Sequence, residues 1–223
     1  LRWTAPETLW RPDAATLQQW LMQPSPFYAY DVETDGIEAM TCGLRTIAIA
    51  TPDLNAAGKA AKAGEDIATP SRAVGISLLS ADGHGRFYAP EEEAHVRAVL
   101  TWFFTDPRFV KIGHNAGSYD RMVIEHHFGV TPAPLVDTLF LARFRSPDLP
   151  KGLKTVGSIL TDVDRWETTE KGTKISTGSH DDDELLRYNI IDSTVNARIV
   201  VPLATSTELV GAFRPIDEAL RPS

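Results

Sequence analysis

Phe27-Tyr28-Ala29-Tyr30-Asp31-Val32-Glu33-Thr34-Asp35-Gly36 is an apolar, aromatic run that ends abruptly in acid. Its first half reads as a buried strand, because aromatic residues enrich strands and Pro24 and Pro26 stop a helix beforehand. Gly36 releases it. Side chains two apart on a strand share a face, with Cα atoms roughly 6.5–7 Å apart, so Asp31 and Glu33 point the same way. Two carboxylates so placed repel each other, and a hard divalent cation such as Mg²⁺ or Mn²⁺ offsets that repulsion through oxygen ligands. The pair therefore reads as half a metal site. An isolated Asp-x-Glu is more often a pair of solvated turn residues, so the metal reading needs partners from elsewhere in the chain.

A chain of 223 residues with 43% hydrophobic content is long enough to bury one sizeable core, which predicts a single α/β domain. Twenty-two basic against 30 acidic residues give a formal charge of −8, which argues against a protein that coats nucleic acid by bulk electrostatics. A local site is compatible with that charge, since bound cations themselves meet phosphates. The single Cys42 excludes an internal disulfide framework and a cysteine-rich zinc site, and suits a reducing compartment. No run approaches a membrane span and no signal peptide is visible, so a soluble, cytoplasmic protein is expected. A start on Leu1 and a stop on Arg-Pro-Ser suit a piece of something longer.

Along the chain, Asp13 is placed to cap a short helix bearing Leu17, Trp20 and Leu21, which makes residues 1–26 a helical cover. Leu44–Ala50 and Ala73–Leu79 read as strands, with Arg86–Tyr88 as a fourth strand or a continuation. Residues 53–72, rich in Ala, Lys and Gly, read as an exposed insertion. A helix is expected over Glu91–Phe104, then a strand over Phe109–Gly113. The polar loop His114–Asp120 precedes a helix carrying Met122, Val123, Ile124 and Phe128, and α/β sheets place ligands at such a strand's carboxyl end. Val136-Asp137-Thr138 leads into Leu139–Phe144, Pro147 and Pro150 mark a loop, and a helix is expected over Leu153–Leu160, a polar loop over Asp162–His180, and a helical tail over 203–223. Strands first, then strands interleaved with helices, predict one mixed sheet flanked by helices.

Asp181-Asp182-Asp183-Glu184 opens a helix to about Val200, whose Leu185, Ile191, Val195 and Ile199 form a core-facing stripe. Tyr188 and Asp192, four apart, lie inside that stripe, while Arg187 and Arg198 point elsewhere. A carboxylate on a buried face is costly unless a cation or a hydrogen bond meets it, and the neighbouring phenol is one such partner. His114 and the pair His126-His127 lack the spacing and partners of a zinc site and read as surface histidines. Arg143, Arg145, Lys151 and Lys154 form a basic stretch that suits a phosphate track or an ordinary solvated face.

Asp31-Val32-Glu33, then Asn115 with Tyr119-Asp120, then Tyr188 with Asp192 resemble the three motifs of the DnaQ-like (DEDD) 3′-to-5′ exonucleases in their tyrosine branch. The resemblance is nearest to the proofreading domain of family A DNA polymerases, of the DNA polymerase I type including phage versions, and spans Phe27 to Val200. Asp137-Thr138-Leu139 and Leu149–Leu153 are similar to segments after the second motif. The resemblance implies an RNase H-like α/β fold with a five-stranded mixed sheet, an exonuclease domain over 27–202, and hydrolysis with two divalent cations, Mg²⁺ or Mn²⁺. It implies Asp31, Glu33, Asp120 and Asp192 as metal ligands, Tyr188 as the residue that orients water, and Asn115, Thr34 and Tyr119 as substrate contacts. The implied partners are a single-stranded DNA 3′ end, with RNA as the alternative of the RNase D kind, and a polymerase domain in the same chain or beside it. A non-catalytic module of a polymerase is the remaining alternative.

Overall fold

The computed structural model describes residues 3, 5–52, 71–164, 166 and 181–204. The insertion near 53–72, the loop over 162–180 and the tail over 203–223 lie largely outside the described residues. Twelve elements follow one another: β1 (Glu7–Trp10), α1 (Ala14–Met22), β2 (Tyr28–Thr34), β3 (Leu44–Pro52), β4 (Ser71–Ser77), α2 (Pro90–Thr105), β5 (Lys111–Gly113), α3 (Tyr119–Phe128), β6 (Leu135–Asp137), α4 (Thr138–Arg145), α5 (Leu153–Leu160) and α6 (Asp182–Ala204).

The strands form one mixed sheet in the order β1-β4-β3-β2-β5-β6. β2, β3 and β4 are the expected antiparallel meander, whereas β5 joins β2 in parallel. Five strands were expected and six are present among the described residues. Arg86 makes only an isolated bridge to Leu79, so the fourth strand expected there does not form. The two additional strands are at the edges, four-residue β1 parallel to β4 and three-residue β6 parallel to β5. Both are too short to show a period of two.

The pleat sorts side chains to two unlike faces. Tyr28, Tyr30 and Val32 of β2, with Ile47, Ile49, Val74 and Ile76 of its neighbours, pack beneath Leu17, Val96, Leu100, Phe103 and Phe104 of α1 and α2. Edge-to-face ring contacts join Tyr28 to Phe103 and Tyr30 to Phe104 at 5.8 and 5.3 Å. Each fully buried aromatic on this side contributes about 1.5–3 kcal/mol of transfer free energy. The other face is built from small residues, Ala29, Ala48, Ala50 and Ala73, and α6 lies on it. Asp31 and Glu33, in phase with Ala29, share that face.

α6 departs from the single stripe read from the sequence. Sandwiched between the sheet and helices α4 and α5, it is buried on nearly every side from Asp192 to Val200. Arg198 is buried too, donating to Ser71 Oγ at 3.2 Å and stacking over Trp3. The acidic run at its start tethers the helix: Asp181 accepts from the amides of Asp183 and Glu184, and Asp182 pairs at 2.7 Å with Arg45, a buried side chain of β3. α1 is capped as expected, Asp13 accepting from the Thr16 amide, and α3 ends on Gly129 with φ 68°. Among the described residues no helix is long and apolar enough to cross a membrane.

Gly113 closes β5 where the chain turns into the 114–118 loop, and a Cβ there would stand 2.0 Å from the Ala116 Cβ. Gly113→Ala should therefore cost about 1–3 kcal/mol by overpacking, read as a lower urea midpoint. An unchanged or higher midpoint would contradict the close approach.

Candidate active site

Asp31 and Glu33 leave β2 on the α6 side, and Asp192 descends from α6 to meet them. One carboxylate oxygen from each lies within 4.8 Å of the others. An octahedral shell with bonds of about 2.0–2.1 Å spans roughly 4 Å between opposite oxygens, so three hard donors at this separation fit Mg²⁺ or Mn²⁺. Asp120, in the first turn of α3, lies outside that tight trio but close enough for its charge to act on both Asp31 and Glu33. The four acids that the sequence singled out are therefore brought to one place.

The electrostatics are those of crowded, desolvated anions. Asp31 keeps part of its surface open yet is ringed by protein. Burial, then the charges of Asp120, Asp192 and Glu33, hold its carboxyl well above the usual range. Burial, then Asp192 and Asp120, push Glu33 up to about 8, against the opposing charges of Lys154 and Arg45. Burial, Asp137 and Asp192 bring Asp120 to about 7. Tyr188 is pushed up by burial and by Asp192, Glu33 and Asp31, so its phenol keeps its proton.

Several contacts that sequence reasoning missed fix these groups. Asn189, fully buried beside Tyr188, donates to Asp31 Oδ2 at 2.6 Å, and its own oxygen accepts from Thr46 Oγ1 at 3.1 Å. The Trp166 indole N–H donates to Asp192. The Lys154 ammonium donates to the Tyr188 hydroxyl at 2.5 Å. A signal for Asn189 was present, since it is a second polar residue on the buried part of the helix that carries Asp192. Trp166 stood out only as an aromatic in a polar stretch.

The expected substrate contacts separate into two kinds. Asn115 is exposed at the mouth of the 114–118 loop with a left-handed backbone, φ 62°. That loop is held by Asp137, whose carboxylate accepts from the amides of Asn115 at 2.8 Å, Gly117 at 3.2 Å and Leu139 at 2.9 Å. Thr34 and Tyr119 are spent on each other. Thr34 is 1% exposed, its hydroxyl and that of Tyr119 lie 2.8 Å apart, and both reach the Gly36 carbonyl. They pack the turn after β2 and present no free polar group of their own.

Two further readings are corrected. His114 is not a surface histidine: it is half-buried, Nδ1 pairing with Thr138 Oγ1 at 2.9 Å and Nε2 with the Lys151 carbonyl at 2.7 Å. His127 donates to the Cys42 carbonyl at 2.9 Å. The basic stretch is not an open row either. Arg145 donates to the Pro202 carbonyl, Lys151 turns back to the Pro147 and Leu149 carbonyls, and Lys154 faces Tyr188.

Acids whose folded pKa is raised bind protons more tightly folded than unfolded, so their contribution is present at low pH and lost as pH rises. Metal-free protein should lose thermal stability between about pH 4 and pH 8, the window spanned by Glu33 and Asp120. Millimolar Mg²⁺ or Mn²⁺ should raise the melting temperature most at the alkaline end. A melting temperature in chelator that is flat or rises over that window would contradict this electrostatics.

No protein-family model matches the sequence, and no curated protein matches it. Solved structures do match. Brucella melitensis NrnC with bound Mg²⁺ superposes with a TM-score of 0.61 at 20% identity, over 96% of this chain and 88% of that one. Escherichia coli RNase D, an exoribonuclease involved in structured RNA processing, gives a TM-score of 0.61 at 20% identity over 96% of this chain and 48% of that one. Pol1 from M. smegmatis, in complex with DNA primer-template and dNTP, gives 0.54 at 14% identity over 99% of this chain and 29% of that one. At these identities the likeness shows the fold, and the mixed α/β, RNase H-like architecture expected from the sequence is the one these structures share with this chain.

Proposed function

We propose that this chain is a metal-dependent 3′-to-5′ exonuclease, with residues 27–202 as its catalytic body. One observation carries the proposal: oxygens of Asp31, Glu33 and Asp192, from a strand and a helix far apart in sequence, lie within 4.8 Å of one another. Asp31, Glu33 and Asp192 would hold a divalent cation, and Asp120, whose charge reaches Asp31 and Glu33, would join them as a ligand. When bound, divalent cations offset the charge of the phosphodiester and make water a nucleophile at neutral pH. The protein's own contribution is orientation. Asn189 and Trp166 fix the faces of Asp31 and Asp192, while Tyr188, held protonated, would orient the attacking water and is unsuited to remove a proton. Asn115, exposed on the loop before α3, would meet the terminal nucleotides.

The substrate is proposed to be the 3′ end of single-stranded DNA, in a proofreading role beside a polymerase domain of the same chain or of a partner. The motifs and the match to Pol1 support that form. A second reading, a 3′-to-5′ exoribonuclease, is favoured by the match to RNase D and by NrnC bound to pGG, 87% of whose length this chain covers.

Labelled single-stranded DNA and RNA of one sequence, each with and without chelator, test the proposal. Chelator-sensitive loss of 3′-terminal nucleotides is expected, and Asp31→Ala should fall to the chelated level. Faster loss from DNA selects the first form and faster loss from RNA the second. An intact oligonucleotide, or Asp31→Ala at the wild-type rate, would refute a catalytic role.

A further inference from the structure

Lys154 meets the only polar atom of Tyr188. The ammonium lies 2.5 Å from the phenol oxygen. An ammonium has three donors and no acceptor, so the phenol oxygen accepts in this bond. The single phenolic proton is thereby turned away from Lys154. On its other side stands Asp192, hydrogen-bonded to the Tyr188 side chain and already receiving the Trp166 N–H. A phenolic O–H prefers the ring plane, with two orientations of similar energy when nothing distinguishes them. Lys154 distinguishes them.

The backbone that carries Lys154 is held on both sides of it, before α5 and in the middle of that helix. At its start, the carbonyl of Lys151 receives the His114 Nε2–H at 2.7 Å. Further along, Gly157 faces α6, where a Cβ would stand 2.7 Å from Val195 Cγ1 and 3.3 Å from the Trp166 ring. The absence of that atom lets α5 come close enough to α6 for a lysine from one helix to reach a tyrosine on the other. Lys154 is half-buried, which sets it apart from the exposed Arg143 and Arg145 of the same basic stretch.

We propose that Lys154 is a positioning residue that fixes the direction of the Tyr188 hydroxyl. Its effect on turnover rests on the exonuclease reading above, and it is carried through Tyr188 and not through a phosphate of the strand.

A double-mutant cycle separates these roles. Lys154→Met and Tyr188→Phe should each lower kcat about 10- to 100-fold with KM little changed, since misplacing an orienting group acts on the chemical step. The double variant should be no slower than Tyr188→Phe alone, and Lys154→Arg should recover most of the loss. Multiplying effects in the double variant would overturn the proposal in favour of a role through the charge on Glu33 or a phosphate, and a raised KM with kcat intact would overturn it in favour of a phosphate contact. A second measurement does not depend on activity. In metal-free protein with ¹³Cζ-labelled tyrosine, the resonance that Tyr188→Phe removes should shift in Lys154→Met, and an unmoved resonance would overturn the contact. Wild-type protein without chelator-sensitive hydrolysis would defeat the exonuclease reading, and the ¹³Cζ shift would still decide the contact by itself.

Discussion

The closeness of α6 to the sheet is the constraint on which everything else depends. A helix normally rests on a sheet at a distance set by large side chains, and on the α6 side of β2, β3 and β4 the packed side chains are small. Ala29, Ala48, Ala50 and Ala73 form the floor, and at Gly75 a Cβ would come within 2.7 Å of Ile190 Cδ1 and 2.8 Å of Leu186 Cδ1. A floor of this kind lets Asp192 approach Asp31 and Glu33 until one oxygen of each lies within 4.8 Å of the others. The Ser193 hydroxyl, donating to the Ala48 carbonyl at 3.0 Å, and the Arg45–Asp182 pair then fix the helix along its axis. The opposite face of the same strands carries the aromatic core. β2 is thus anchored on one side by bulk and opened on the other by its lack.

Bringing carboxylates together in this space is unfavourable, and the neighbours show how the cost is met. Asn189 offers Asp31 a hydrogen bond, Trp166 offers Asp192 another, and the charges of Lys154 and Arg45 oppose the rise of Glu33. None of these cancels the cost, since burial first and mutual repulsion second still hold the carboxyls of Asp31, Glu33 and Asp120 above their usual range. The trio could hold a dication, and buried polar partners of this type would orient its ligands. The loop that bears Asn115 is organised by similar means, three backbone amides converging on the Asp137 carboxylate.

Much of this was legible in the sequence because the decisive elements carry strong local signals. β2 ends in two acids in phase with each other, the meander alternates, and helices α1, α2 and α5 are marked by caps, prolines and apolar spacing. The edge strands β1 and β6 were not legible, being four and three residues long and fixed by a neighbour's open edge. The stripe read on α6 was too narrow, because a helix covered from both sides shows no clean polar face; Asn189, Ser193 and Asn196 are buried polar residues there. His114 looked like a surface residue because its two partners, Thr138 and the Lys151 carbonyl, are distant in sequence. Lys154 looked like one of four equivalent cations for the same reason. Patterns within an element speak of the element, and contacts between elements are seen only once it folds.

Calorimetric titration of Mn²⁺ into the wild-type chain and into Asp192→Asn tests directly whether strand and helix carboxylates form a single cation site. Saturable binding that weakens about tenfold or more in Asp192→Asn is the result this account predicts. Equal affinity in the two proteins would contradict it, because α6 would then contribute nothing to the ion.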